Sequence, residues 1–85
     1  LKWFAGEAER LLGDTQDSPL GHMIVTFREA VGPCALITPW NFPAAMLTRK
    51  LGPAFAAGCT AVVKPASQTP FTAIALVELA YTAGC

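Results

Sequence analysis

Six lysines and arginines balance six aspartates and glutamates over 85 residues, so the chain is neutral, and 53% of it is hydrophobic against 14% charged. That balance excludes the basic footprint of a nucleic-acid binder and gives no electrostatic reason to adhere to an anionic membrane surface. Prolines at 33, 39, 43, 53, 65 and 70 interrupt the apolar windows, so no stretch of ~20 apolar residues can cross a bilayer.

Leu1, Phe4, Ala8, Leu11 and Leu12 fall at helical spacing, which predicts a helix ending at Leu12 with Gly13 as a left-handed terminal residue. Asp14 to Gly21 is rich in turn formers and reads as a surface connection. His22 to Arg28 alternates, with Met23, Val25 and Phe27 on one face, and predicts a half-buried strand. Cys34–Thr38 is a short apolar run, which favours a strand covered on both faces. Pro39 and Pro43 end it, because neither can donate to a ladder. Asn41 or Phe42 then stands at an N-cap, with Pro43 opening a helix that runs to about Gly58, bent or interrupted near Gly52–Pro53. Thr60–Lys64 predicts a second buried strand. Thr69–Pro70 repeats the cap-then-proline signal for a helix ending before Gly84, whose one wet stripe is Thr72, Ala75, Glu78 and Thr82. Strand, helix, strand, helix with short connections is the order of an α/β fold with parallel strands and right-handed crossover helices.

The charges are unevenly spread. Eight of the twelve lie in the first 29 residues, and from Leu51 to Val77 the sole charge is Lys64. A free domain of this length leaves much of its surface in water, so the charge-poor remainder reads as the interior of something larger. Three cysteines, Cys34, Cys59 and Cys85, make an odd count without metal-ligand spacing, so no metal site is expected. They suit a reducing compartment, the cytoplasm or, as the alternative, the mitochondrial matrix.

Ligands of open α/β sheets collect beyond the carboxyl ends of the strands, which directs attention to Asn41 and Lys64. A lone ammonium closing an apolar strand must reach water, a carboxylate or a bound anion, so Lys64 is either a ligand contact or a snorkelling or salt-bridged cation. Asn41 is either the cap of the following helix or an amide donor toward a developing negative oxygen. Trp40 reads as core. Arg49 and Lys50 read as a solvated helix turn, unless a substrate carboxylate takes a bidentate contact from the Arg49 guanidinium.

The runs Ile37–Pro43 (ITPWNFP), Ala56–Thr60 (AAGCT) and Lys64–Ser67 (KPAS) together closely resemble the aldehyde dehydrogenase superfamily, and Arg49 within Ala45–Lys50 (AMLTRK) resembles its succinate-semialdehyde dehydrogenase branch. The resemblance covers essentially the whole chain. It implies a partial Rossmann-like NAD(P)-binding domain over residues 31–85, preceded over 1–30 by a helix end, a linker and one strand of an oligomerisation region. It further implies that Asn41 holds the oxyanion of a thiohemiacetal, that Lys64 contacts the adenosine ribose or its 2′-phosphate, and that the backbone of Ile37, Thr38, Pro39 and Trp40 lines the cofactor cleft. Ser67 stands where many NAD-preferring members carry glutamate; a small hydroxyl there leaves room for a 2′-phosphate that a carboxylate would repel, so NADP is accepted beside NAD. Arg49 is implied to hold the distal carboxylate of the aldehyde substrate, and the parent protein to be a homo-oligomer. None of the three cysteines fits the family's nucleophile and Glu78 does not fit its base, so the segment alone is expected to be inert. Within the family another semialdehyde or a general aliphatic aldehyde dehydrogenase stays open, and so does a different class: a non-enzymatic module whose Pro39–Pro43 loop binds a partner, with Asn41 only a cap.

Overall fold

Two four-residue strands, paired side by side in the same direction, organise the chain. The computed structural model describes all 85 residues, Leu1–Cys85, as α1 (Lys2–Ala8), β1 (Thr15–Asp17), β2 (Met23–Val25), β3 (Cys34–Ile37), α2 (Pro43–Ala56), β4 (Ala61–Lys64) and α3 (Pro70–Thr82). β3 and β4 are parallel, with Cys34 opposite Ala61 and Ile37 opposite Lys64. A parallel pair needs a crossover, and α2 supplies it. The core is small: Leu36 of β3, Leu47 and Leu51 of α2 and Ala73 of α3 form one buried cluster, with Cys34, Ala61, Val63 and Leu76 against it.

Helix α2 starts at Pro43, whose missing N–H costs nothing at a first turn, and runs through Gly52–Pro53 to Ala56 as one continuous helix, so it is not interrupted there. It ends on Gly58, which at φ 76 takes a left-handed conformation that suits glycine. There the Cys59 N–H donates to the Ala54 carbonyl at 2.9 Å and the Gly58 N–H to the Phe55 carbonyl at 3.0 Å. The bond from the Cys85 N–H to the Ala80 carbonyl at 3.0 Å closes α3 in the same way.

The amino-terminal third departs furthest from expectation. Helix α1 stops at Ala8, well short of Leu12, and the expected connection from Asp14 to Gly21 contains a strand. β1 and β2 form an antiparallel hairpin with Thr15 opposite Val25 and Asp17 opposite Met23. Its turn is closed by the Ser18 N–H to the His22 carbonyl at 2.7 Å and the Gly21 N–H to the Ser18 carbonyl at 3.0 Å. Gly13 is no helix cap. A Cβ on it would lie 1.8 Å from the Thr26 carbonyl oxygen, so its bareness lets the incoming chain reach the hairpin. The Asp14 N–H then donates to Thr26 Oγ1 at 3.0 Å and the Thr26 N–H to the Asp14 carbonyl at 2.8 Å.

Burial is the other correction. The β2 face expected to be half-buried is open, with Met23, Val25 and Phe27 all exposed, because no element of the chain lies over it. β3 is covered on one face only: Leu36 is buried and Ile37 is 62% exposed. Along α3, Ala73 is buried while Phe71, Ile74, Val77, Leu79 and Tyr81 are open to solvent, so its exposed surface is apolar rather than confined to one polar stripe. Thr69 does occupy the N-cap, but its side chain makes no capping bond and its Oγ1 is buried without a partner. No helix is long and apolar enough to cross a membrane.

The close approach at Gly13 gives a direct test of the hairpin. Gly13→Ala should detach Asp14 from Thr26, and amide exchange of Thr26 should accelerate at least about tenfold, with a loss of order 1–3 kcal/mol in stability. Unchanged protection at Thr26 would show that the hairpin does not depend on this contact.

Candidate active-site segment

The parallel register sends two loops out of the same end of the sheet. Ile37 and Lys64 are opposite one another at the carboxyl ends of β3 and β4, and the last ladder bond runs from the Thr38 N–H to the Lys64 carbonyl at 3.1 Å. Thr38 is buried. Beyond it Pro39, Trp40, Asn41 and Phe42 are exposed; Trp40, expected in the core, is 61% exposed. Beyond Lys64 the chain turns through Ala66–Thr69, closed by the Thr69 N–H to the Ala66 carbonyl at 3.1 Å, and Ser67 stands exposed on that turn. The fold thus places Ile37, Thr38 and Lys64 together, with Asn41 and Ser67 on the two adjoining loops.

Asn41 does not cap α2. The N-cap is Phe42, in the left-handed conformation at φ 52 and ψ 56, and α2 has no side-chain capping bond. A positive φ on an aromatic residue is strained, typically by about 1–3 kcal/mol, and it lies immediately after the one amide side chain of the loop. The simpler reading of Asn41 as a helix cap therefore finds no support in the geometry.

Lys64 is exposed and has no carboxylate partner, since the one salt bridge of the chain joins Arg10 and Glu7. Arg49 lies on the exposed side of α2, ~9 Å along the axis from Pro43 at 1.5 Å per residue. Its Nη1 contacts only Met46 Sδ, at 3.8 Å, so its guanidinium also lacks an anion. No hydrogen bond or ion pair ties Arg49 to the strand-end residues. Two larger grooves of the chain are lined by apolar residues such as Leu51, Phe55, Val77 and Ala80, and neither includes Asn41, Lys64 or Ser67.

Lys50 is the residue that sequence reasoning missed. It is no solvated turn: its Nζ donates a hydrogen bond to the Ile37 carbonyl. The available signal was position, three residues after Leu47 and one before Leu51, both buried. A cation at the margin of a core-facing stripe has to find an acceptor.

Cys34 is not activated. Burial, followed by the neighbouring Cys59 thiol, pushes the Cys34 thiol above its ordinary range, the opposite of what a nucleophilic thiolate requires. Cys34 is half-buried and Cys59 is buried. No group of three or more histidine, cysteine, aspartate or glutamate side chains gathers to hold a metal.

Residues 1–85 match the aldehyde dehydrogenase family from end to end. The chain belongs to that family. It is 58% identical over 88 residues to the glutarate-semialdehyde dehydrogenase of Pseudomonas putida and 57% identical over 88 residues to the NADP(+) succinate-semialdehyde dehydrogenase of Escherichia coli. Each comparison covers 99% of this chain but only 18% of the relative, so the chain spans under a fifth of their length. Among solved structures it is similar to succinate-semialdehyde dehydrogenase from Burkholderia pseudomallei, at 56% identity and a TM-score of 0.94, covering 99% of this chain and 18% of that one. It is also similar to the NAD+ complex of an aldehyde dehydrogenase from Bacillus cereus, at 38% identity and a TM-score of 0.92, covering 99% and 17%. The α/β arrangement read from the sequence is therefore that of an aldehyde dehydrogenase segment.

The raised Cys34 thiol predicts slow chemistry. Brief iodoacetamide treatment at pH 8 followed by peptide mapping should leave Cys34 unlabelled, with labelling rising only at more alkaline pH. Stoichiometric modification of Cys34 at pH 7 would overturn this assignment.

Proposed function

We propose that the chain is the part of an NAD(P)-dependent aldehyde dehydrogenase that contributes the oxyanion donor and a cofactor cation, in an enzyme converting succinate semialdehyde to the dicarboxylic acid. The observation that carries this reading is the pairing of Asn41, free of any capping role, with an unpartnered Lys64 at one end of a parallel strand pair. In this reading residues 31–85 are a partial cofactor domain, and residues 1–30 are a helix, a linker and an oligomerisation-type hairpin.

The residues at the strand ends fit such a cofactor. Lys64 is a cation without an internal carboxylate, at the carboxyl end of a parallel strand where nucleotides bind in open α/β sheets, and Ser67 offers a hydroxyl three residues further on. When bound, the nicotinamide supplies the hydride acceptor. Lys64 would hold the adenosine ribose hydroxyls or a 2′-phosphate, Ser67 would tolerate that phosphate, and the backbone from Ile37 to Trp40 would line the cleft. Asn41 would donate its amide N–H to the aldehyde oxygen as negative charge builds on it, which lowers the barrier because the donor is in place beforehand. The nucleophile and the water-activating base are read as lying outside these residues, because Cys34 is a half-buried thiol pushed above its ordinary range and Cys59 is buried.

Arg49, with no internal anion, is assigned the distal carboxylate of the substrate. Succinate and glutarate semialdehydes differ by one methylene, and the names of the two similar relatives divide between them, so glutarate semialdehyde is the second reading. The exposed Met23, Val25 and Phe27 face is assigned to a homo-oligomer contact, and the three thiols to the cytoplasm or mitochondrial matrix.

Three substitutions in the full-length protein test these roles. Asn41→Ala should lower kcat by ~10²–10³-fold with cofactor binding intact, the usual cost of losing an oxyanion donor. Arg49→Ala should lower kcat/KM for succinate semialdehyde about 10- to 100-fold and leave a neutral aldehyde of equal length unaffected. Ser67→Glu should shift the NADP-to-NAD affinity ratio toward NAD by at least about tenfold, through repulsion of the 2′-phosphate. An Arg49→Ala enzyme that still prefers acidic aldehydes, or an unchanged cofactor ratio in Ser67→Glu, would remove the corresponding assignment.

A further inference from the structure

We propose that Lys50 is a positioning residue that sets the placement of Asn41 through the backbone carbonyl of Ile37; the proposal rests on the reading of Asn41 given above. The Lys50 ammonium reaches back 13 positions to donate to that carbonyl, and the sheet does not satisfy the carbonyl otherwise. Cys34 donates its N–H to Thr60 and Thr38 donates its own to Lys64. By the two-residue alternation of a strand, residues 34, 36 and 38 turn their backbone groups toward β4, and Ile37 turns its carbonyl to the other edge. Lys50 binds the last carbonyl on that edge, where the chain leaves the sheet.

The peptide unit between Ile37 and Thr38 is consequently held from both sides. Its N–H is bound to the Lys64 carbonyl and its carbonyl to the Lys50 ammonium. Little slack follows. Proline fixes φ at positions 39 and 43, and Phe42 is held at φ 52, a conformation that persists only where its surroundings over-determine it. A rotation of the 37–38 peptide would thus be passed along the loop to Asn41. Removal of the ammonium lets the Ile37 carbonyl turn toward water and shifts the Asn41 amide, and an error of about 1 Å in such a donor can cost ~10²-fold in rate.

The test is a double-mutant cycle in the full-length protein, using Lys50→Met, Asn41→Ala and the pair, with Lys50→Arg and Lys50→Gln as donor-keeping variants. Steady-state rates are measured at saturating cofactor, and thermal unfolding checks that each variant folds. Lys50→Met should lower kcat at least about tenfold with KM for the aldehyde changed less than about threefold, and Lys50→Arg should recover most of the loss. In the Asn41→Ala background, Lys50→Met should cost less than about twofold, because the group it positions is gone. If Lys50→Met does not fold, Lys50→Leu, which also removes the donor, carries the same cycle. Additive losses, or an unaltered kcat in Lys50→Met, would overturn the positioning role while leaving the function standing. A wild-type protein with no aldehyde oxidation would remove the function and this role together.

Discussion

The hydrogen bond from the Thr38 N–H to the Lys64 carbonyl closes a parallel ladder, and the arrangement of the strand-end cluster depends on that closure. In an antiparallel pair the two strand ends would lie at opposite edges of the sheet. Parallel pairing brings Ile37 and Lys64 level, so the Pro39–Phe42 loop and the Ala66–Thr69 turn leave side by side. The same direction of pairing requires a crossover, and α2 returns with Leu47 and Leu51 buried over the sheet. Lys50, adjacent to Leu51, is thereby delivered to the end of β3. Pairing, core and candidate site are one geometric consequence of two apolar tetrapeptides running the same way.

The same chain is poorly covered. Seven of its 85 residues are buried, and its radius of gyration is 16.9 Å where a compact domain of this length would have about 12 Å. A helix that exposes apolar side chains around most of its surface, as α3 does, belongs between layers rather than at a water surface. This is the physical meaning of a composition rich in hydrophobic residues and poor in charge. The activity tests above accordingly use the full-length protein.

What the sequence disclosed and what it hid follow from the range of the forces involved. β3, β4, α2 and α3 were legible because apolar runs bounded by prolines and glycines are local signals, and the strand ends then pointed to Asn41 and Lys64. β1 was hidden because Thr15, Gln16 and Asp17 carry no apolar side chain; the strand exists through its partner Met23–Val25 and the bareness of Gly13. Alternation in β2 was read correctly as a face but wrongly as a covered one, since periodicity reports which residues share a side and not whether anything lies against it. Cap chemistry misled twice. Asn41 and Thr69 both have the right residue type at a helix start, yet neither makes a capping bond. Lys50 was hidden for the opposite reason, because a lysine beside an arginine resembles a wet helix turn until the carbonyl 13 residues earlier is in view.

The four charges of the last 56 residues can finally be separated by what each is left to do. Lys50 is occupied within the fold, and Glu78 is exposed on α3. Lys64 and Arg49 remain as cations with no internal anion. On an open surface water solvates them and nothing follows. Once further protein covers the apolar faces around them, the local dielectric falls and each unpaired cation becomes costly. Such cations are retained where an anion arrives to compensate them. In the proposed enzyme the substrate carboxylate meets that requirement at Arg49 and, when NADP is bound, the ribose 2′-phosphate meets it at Lys64, while the neutral amide of Asn41 is kept for the oxygen whose charge appears only during the reaction. The scarcity of charge that first marked the chain as an interior is also what makes each remaining cation selective.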